Sequence, residues 1–331
     1  APEVLSSIVQ FQFGDLLSHG KATLDELMTE IMRRYDQPEG EEYTKQRLRE
    51  DEYRMFCAGD QDDFQFKTFH SVVPDLLKPY IDDIVLVKRL REVLALRGFR
   101  RITPDVPQQD DERFTGYHQD KDVIPLSNAP LSWLPAIEML GEGIFIRVRE
   151  NALSVWESDH RNHYSEMQKS LSNSNVGCDN FSPRYVMLHT LAHLMIRQLS
   201  VECGYSGASI KERIYSTYEN SDTNMSGILL YTSSTDSDGS LGGLVRKGLP
   251  EPFEMIFRNM LQEASWCSSD PICIESKAQG FDSLNYAACH ACTLLPETSC
   301  EMRNCLLDRA SITGTLENRS FGFFGPVMND I

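Results

Sequence analysis

SPRYVMLHTLAHLMIRQLSVECG, residues 182–204, is the stretch on which the fold turns. Ser182 followed by Pro183 is an N-cap with proline at the first helical position, where the missing N–H costs nothing. Gly204 stands where a helix closes in the left-handed region. Between them Val186, Met187, Leu188, Leu191, Leu194, Met195, Ile196 and Leu199 leave almost no polar face, so this helix, running to about Glu202, is predicted to lie at the centre of the core.

Outward from it, Gly143–Arg149 alternates as a half-buried strand, with Ile144, Ile146 and Val148 on one face. Gly227–Thr232 reads as a short buried strand, and Pro252 opens a helix to about Trp266. Asp82–Gly98 is read as a helix from the spacing of Leu86, Leu90, Val93 and Leu96, with Gly98 as its C-terminal glycine. Ser209-x-x-Glu212 reads as the capping box of a short helix. Residues 1–50 read as helices around Leu24, Leu27 and Ile31, a polar stretch precedes Asn180, and Thr103–Pro130 reads as a loop. The expected organisation is a helical region over residues 1–130, acidic in its N-terminal part, and an α+β zinc-binding domain over 131–331.

Composition narrows the classes. The 331 residues carry 32 basic and 49 acidic side chains, a net charge of −17, which repels nucleic acid except at a local patch. No apolar run approaches the roughly 20 residues that span a bilayer. The N-terminus has neither a basic region nor a continuous apolar core, so no signal peptide is expected there. The chain does not begin with Met, which points to a fragment or a processed chain. Cysteines clustered without an export signal favour a reducing, cytoplasmic location, where the Asn224 and Asn318 sequons carry no sugar.

Six of the nine cysteines fall between Cys267 and Cys305. WCSSDPIC and ACHAC place Cys267 with Cys273 and Cys289 with Cys292, two pairs in tight loops joined by fifteen residues. Such loops deliver thiolates to Zn2+ at about 2.3 Å without backbone strain, and four of them leave the metal no open position. Cys300 competes for one of the four places, and His290 sits inside the second pair. The fold class expected is therefore α+β, helix-rich, with a small mixed sheet and a C-terminal zinc-binding module.

Other motifs are weaker. His189 and His193 share a helix face, as in zinc peptidases, but Thr190 stands where that motif needs its general-base glutamate, so they read as buried histidines. SSTDSDGSLGG, residues 233–243, has glycines that permit close approach to a ligand, yet it lacks a P-loop lysine, and Asp236 and Asp238 repel phosphate. An enzyme reading would combine that loop with the histidines on nucleotide or nucleic acid. Lys88, Arg89, Arg91, Arg97, Arg100 and Arg101 form a basic run, the candidate contact for a phosphate backbone.

Together VLVKRLREVLALRGFRRI (85–102), LSWLPAIEMLGEGIFI (131–146), residues 188–216 and 227–246, WCSSDPIC and ACHACTLLPETSCE resemble the DrmB proteins of DISARM anti-phage systems. The resemblance covers about residues 50–310 in several blocks in the same order, and the first 50 residues take no part in it. It implies the C-terminal portion of a longer protein, with an MrfA-type, helicase-associated zinc-binding domain whose cysteine cluster falls on Cys267, Cys273, Cys289 and Cys292. It further implies a non-catalytic accessory subunit that binds a DrmA-like helicase and meets DNA through the complex.

Overall fold

A computed structural model describes residues 23–25, 44–96, 98–100, 123–127, 133–174, 176–219, 221–234 and 243–329. The described residues from Leu48 onward belong to one compact unit, and the cysteine cluster lies within it. Helix α1 (Lys45–Cys57) leads into β1 (Gln61–Asp62), β2 (Lys67–Ser71), the long β3 (Ile81–Ala95), β4 (Gly98–Arg100), β5 (Val123–Pro125) and the long β6 (Ala136–Val148). Helices α2 (Glu150–His160), α3 (Ser165–Ser172) and α4 (Pro183–Cys203) follow, then β7 (Ile210–Ser216), β8 (Ser226–Ser234), α5 (Gly243–Lys247) and α6 (Pro250–Ala264). The C-terminal part is mostly loops, with two short helices, α7 (Ile272–Glu275) and α8 (Ala310–Thr313).

Six strands form one sheet in the order β1-β2-β3-β6-β8-β7, and every neighbouring pair is antiparallel. The expected α+β class holds, but the sheet, expected to be small and mixed, is six-stranded and wholly antiparallel. Successive side chains of a strand point to opposite faces, and this sheet is covered on both. Ile84, Leu86, Ile144, Ile146, Ile214, Ile228 and Leu230 join the core that contains α4. On the other face Val85, Val87, Phe145, Tyr215 and Leu229 pack with Tyr53 and Phe56 of α1. Phe56 stacks on Phe145 with ring centroids 4.9 Å apart. Gly227 permits this packing, because a Cβ there would lie 2.8 Å from the Phe145 ring.

Helix α4 is as expected. The Ser182 hydroxyl accepts from the Tyr185 N–H at 3.1 Å, and Gly204 takes φ 69° at the C-cap. Arg184 ties its first turn to α2 through Glu150 at 2.7 Å and Glu157 at 2.9 Å. Among the described residues, no helix is long and apolar enough to cross a membrane.

Three expectations are corrected. Residues 82–95 are not helical: β3 runs from Ile81 to Ala95 and pairs with β6 up to Ala95↔Ala136. Its first half, Ile84-Val85-Leu86-Val87, is fully buried on both sides, which removes the alternation that marks a half-exposed strand. The remaining leucines then happened to fall at helical spacing. Ser209 and Glu212 do not cap a helix, because residues 210–216 are strand β7, bonded along its whole length to β8; the Ser209 hydroxyl instead donates to the Ser206 carbonyl at 2.6 Å. The loop expected over Thr103–Pro130 contains strand β5 at Val123–Pro125, paired with β4.

Candidate metal centre

The two cysteine pairs converge. One ligand atom from each of Cys267, Cys273, Cys289 and Cys292 lies within 4.8 Å of the other three. Cys267 and Cys289 sulfurs are 3.5 Å apart, and those of Cys273 and Cys292, and of Cys289 and Cys292, are 3.7 Å apart. Thiolates at about 2.3 Å from a tetrahedral ion stand about 3.8 Å from one another, whereas a disulfide would bring two sulfurs to about 2 Å. The spacing is that of a four-sulfur metal cage.

Local structure holds each sulfur. Cys267 follows α6, and its N–H donates to Asp270 Oδ2 at 2.8 Å. Asp270 Oδ1 accepts from the Ile274 N–H at 3.0 Å and from Arg309 Nη2 at 2.7 Å. Arg309 is completely buried and also donates to the Ala264 carbonyl at 2.8 Å, which fixes the end of α6. Cys273 rides on α7. Amide N–H groups point at sulfur, from Ser269 to Cys267 and from Cys289 to Cys292, both at 3.4 Å, and the Thr293 hydroxyl donates to Cys292 Sγ at 3.2 Å. The Cys292 thiol is pulled down to about 4, first by the proton that Cys273 donates, then by Thr293 and the Cys289 amide, while burial opposes. Cys273, holding that proton, is pushed up. Hydrogen bonds that orient and charge-stabilise ligands in this way are what a bound cation requires of its surroundings.

The rival ligands lie elsewhere. His290 is exposed. Cys300 Sγ is 3.2 Å from His189 Nε2, in the core beneath α4. His189 and His193 are fully buried, as expected of them, but they face Glu212 of β7 at 2.9 and 3.5 Å. Glu212 is hidden in the sequence because Ser209-x-x-Glu212 also fits a capping box. The signal was present: Ile210, Glu212 and Ile214 occupy alternate positions of one strand, so an acid stands among apolar neighbours.

The described members of the basic run lie on strands rather than on a helix. Lys88 is exposed. Arg89 donates to the Phe64 carbonyl at 2.9 Å and lies 5.4 Å over that ring, and Arg91 pairs with Glu138 at 2.8 Å. Arg100 falls in β4, while Arg97 and Arg101 lie outside the described residues, as do Asp236, Asp238 and residues 239–242 of the glycine-rich loop.

Comparison with known proteins agrees with the cage. The MrfA Zn-binding domain family matches residues 191–293, which include all four cysteines. DISARM protein DrmB of Bacillus paralicheniformis (strain ATCC 9945a / NCIMB 11709 / CD-2) is 40% identical over 309 residues, covering 89% of this chain and 52% of that protein. The chain thus spans about half the length of the curated relative it matches.

Proposed function

We propose, taking membership of the DrmB family as the premise, that this chain acts as a non-catalytic accessory subunit of a DISARM-type anti-phage complex. In that reading it docks a DrmA-like helicase and helps it engage DNA. Zn2+ on Cys267, Cys273, Cys289 and Cys292 folds the C-terminal loops, since the binding free energy of such a site is folding free energy. With four thiolate ligands the ion has no position left for a substrate, which suits a structural role.

The observation that carries the docking role is a ribbon of two strands. Among the described residues the β2–β3 pairing ends at Lys67↔Arg89 and the β6–β8 pairing at Leu140↔Ser234, while β3 and β6 run on together from Arg91↔Leu140 to Ala95↔Ala136. Val93, Leu94 and Ile137 on this ribbon, with Trp133 and Leu134 just before β6, are all exposed. Apolar side chains concentrated on one exposed element mark an interaction surface.

DNA is met through the complex. The chain is strongly acidic, and Arg91 already has Glu138 as its partner. The enzyme reading required His189 and His193 at an open cleft; both are shielded from solvent. Co-expression with a DrmA-like helicase, followed by ATPase assays with and without DNA, tests the proposal. A stable complex with raised DNA-dependent ATPase activity is expected. Separate elution and unchanged ATPase activity would contradict it.

A further inference from the structure

We propose that His189, His193, Glu212 and Cys300 form a second, buried metal site that takes a zinc-like divalent cation. One ligand atom from each lies within 4.8 Å of the other three. They come from three separate segments: one turn of α4, the middle of β7, and the loop that follows the four-cysteine cage. The site is independent of the docking reading above.

The cluster combines short hydrogen-bonded contacts with one wider, unsatisfied contact between buried ligand atoms. His189 Nε2 lies 2.9 Å from Glu212 Oε1 and 3.2 Å from Cys300 Sγ. His193 Nε2 and Glu212 Oε2 face each other at 3.5 Å, and among the described residues neither has a hydrogen-bond partner, although both residues are completely buried. Leaving two such atoms unsatisfied in a core is costly. A cation between them would satisfy both, because ligand atoms around a tetrahedral ion with bonds of about 2.0–2.3 Å stand about 3.3–3.8 Å apart.

The surroundings prepare the ligands for a metal. His193 Nδ1 is 3.1 Å from the Thr293 carbonyl, which can only accept. Nδ1 therefore carries the proton and Nε2 presents its lone pair to the cluster, the arrangement usual for a metal-ligating histidine. Cys300 Sγ accepts from the Met302 and Asn304 amides at 3.3 and 3.2 Å, as sulfurs of the first cage do from Ser269 and Cys289. Glu212 Oε1 accepts from the Glu301 N–H at 3.1 Å. His189 Nδ1 is buried with no hydrogen-bond partner among the described residues, and its ring is held by packing against Tyr185 and His193. Charge also balances: one carboxylate, one thiolate and two neutral imidazoles offset a doubly charged ion. Nitrogen, oxygen and sulfur ligands in one set suit zinc better than a hard cation such as Mg2+ or Ca2+.

Elemental analysis and zinc-edge X-ray absorption on the purified full chain test the site. Two zinc ions per chain are expected, with five sulfur and three nitrogen or oxygen ligands shared between them. Glu212→Gln and Cys300→Ser should each lower the content to one and leave an all-sulfur spectrum. Cys289→Ser with Cys292→Ser should instead leave one ion in a nitrogen- and oxygen-rich shell. One zinc per wild-type chain in an all-sulfur shell would overturn the proposal, as would two zinc ions retained by Glu212→Gln. If the core variants fail to fold, the wild-type ratio and spectrum decide alone.

Discussion

Thr293 donates its hydroxyl to Cys292 Sγ at 3.2 Å while its carbonyl accepts from His193 Nδ1 at 3.1 Å. One residue thus orients a sulfur of the cysteine cage and a histidine of the central helix, and joins the C-terminal loops to the core. Replacing it with valine keeps the shape and the carbonyl but removes the donor to sulfur. Zinc affinity, measured by competition with a chromophoric chelator, should fall about 10–100-fold, the usual cost of losing a group that orients a ligand.

Asp270 and Arg309 form a buried pair at 2.7 Å, with the arginine side chain wholly inaccessible. Asp270→Ala strands that guanidinium and frees the amides of Cys267 and Ile274. A loss of about 3–5 kcal/mol in denaturant unfolding is expected, the cost typical of removing one partner of a buried pair.

Glu92 of β3 supplies a pH-dependent prediction. Burial raises its carboxyl, but hydrogen bonds from Ser233, Lys211 and Tyr231 outweigh that and hold it below the ordinary value. A group depressed in the folded state contributes stability above its unfolded value, and that contribution fades as pH falls through the folded one. The wild type should therefore exceed Glu92→Gln in stability at pH 7, and the gap should close on acidification below about pH 4. A gap that stays constant across this range would show that the charge contributes nothing.

Much of this was legible in the sequence, and the misses share a cause. Both ends of α4 were visible because Ser182-Pro183 and Gly204 act locally, whatever the tertiary context. The four cysteines were visible because loop spacing alone limits which sulfurs can meet. Residues 84–87 misled because burial on both faces erases periodicity, and that burial depends on α1 and α4, far away in sequence. Glu212 and Cys300 were opaque for the same reason: 88 positions separate them, and only the pairing of β7 with β8 and the path of the C-terminal loop bring them to His189.

Metal removal should expose what the cage supports. A strong chelator, or Cys289→Ser with Cys292→Ser, should lower the melting temperature and raise hydrogen exchange in residues 267–309 before the β3–β6 ladder opens. Simultaneous exchange of both regions would indicate that the cage is not a separate lock on the C-terminal loops.

The ribbon proposed for docking can be tested by substitution at its exposed face. Leu94 and Ile137 are exposed partners across the β3–β6 ladder, 57% and 46% accessible, so replacing both with aspartate should change stability by no more than about 0.5 kcal/mol per site. The decisive measurement is the amount of helicase subunit recovered when the Leu94→Asp, Ile137→Asp chain is co-expressed with it and purified by affinity. Recovery should fall at least tenfold from the wild-type level while the melting temperature holds. Undiminished recovery by a folded double variant would contradict it.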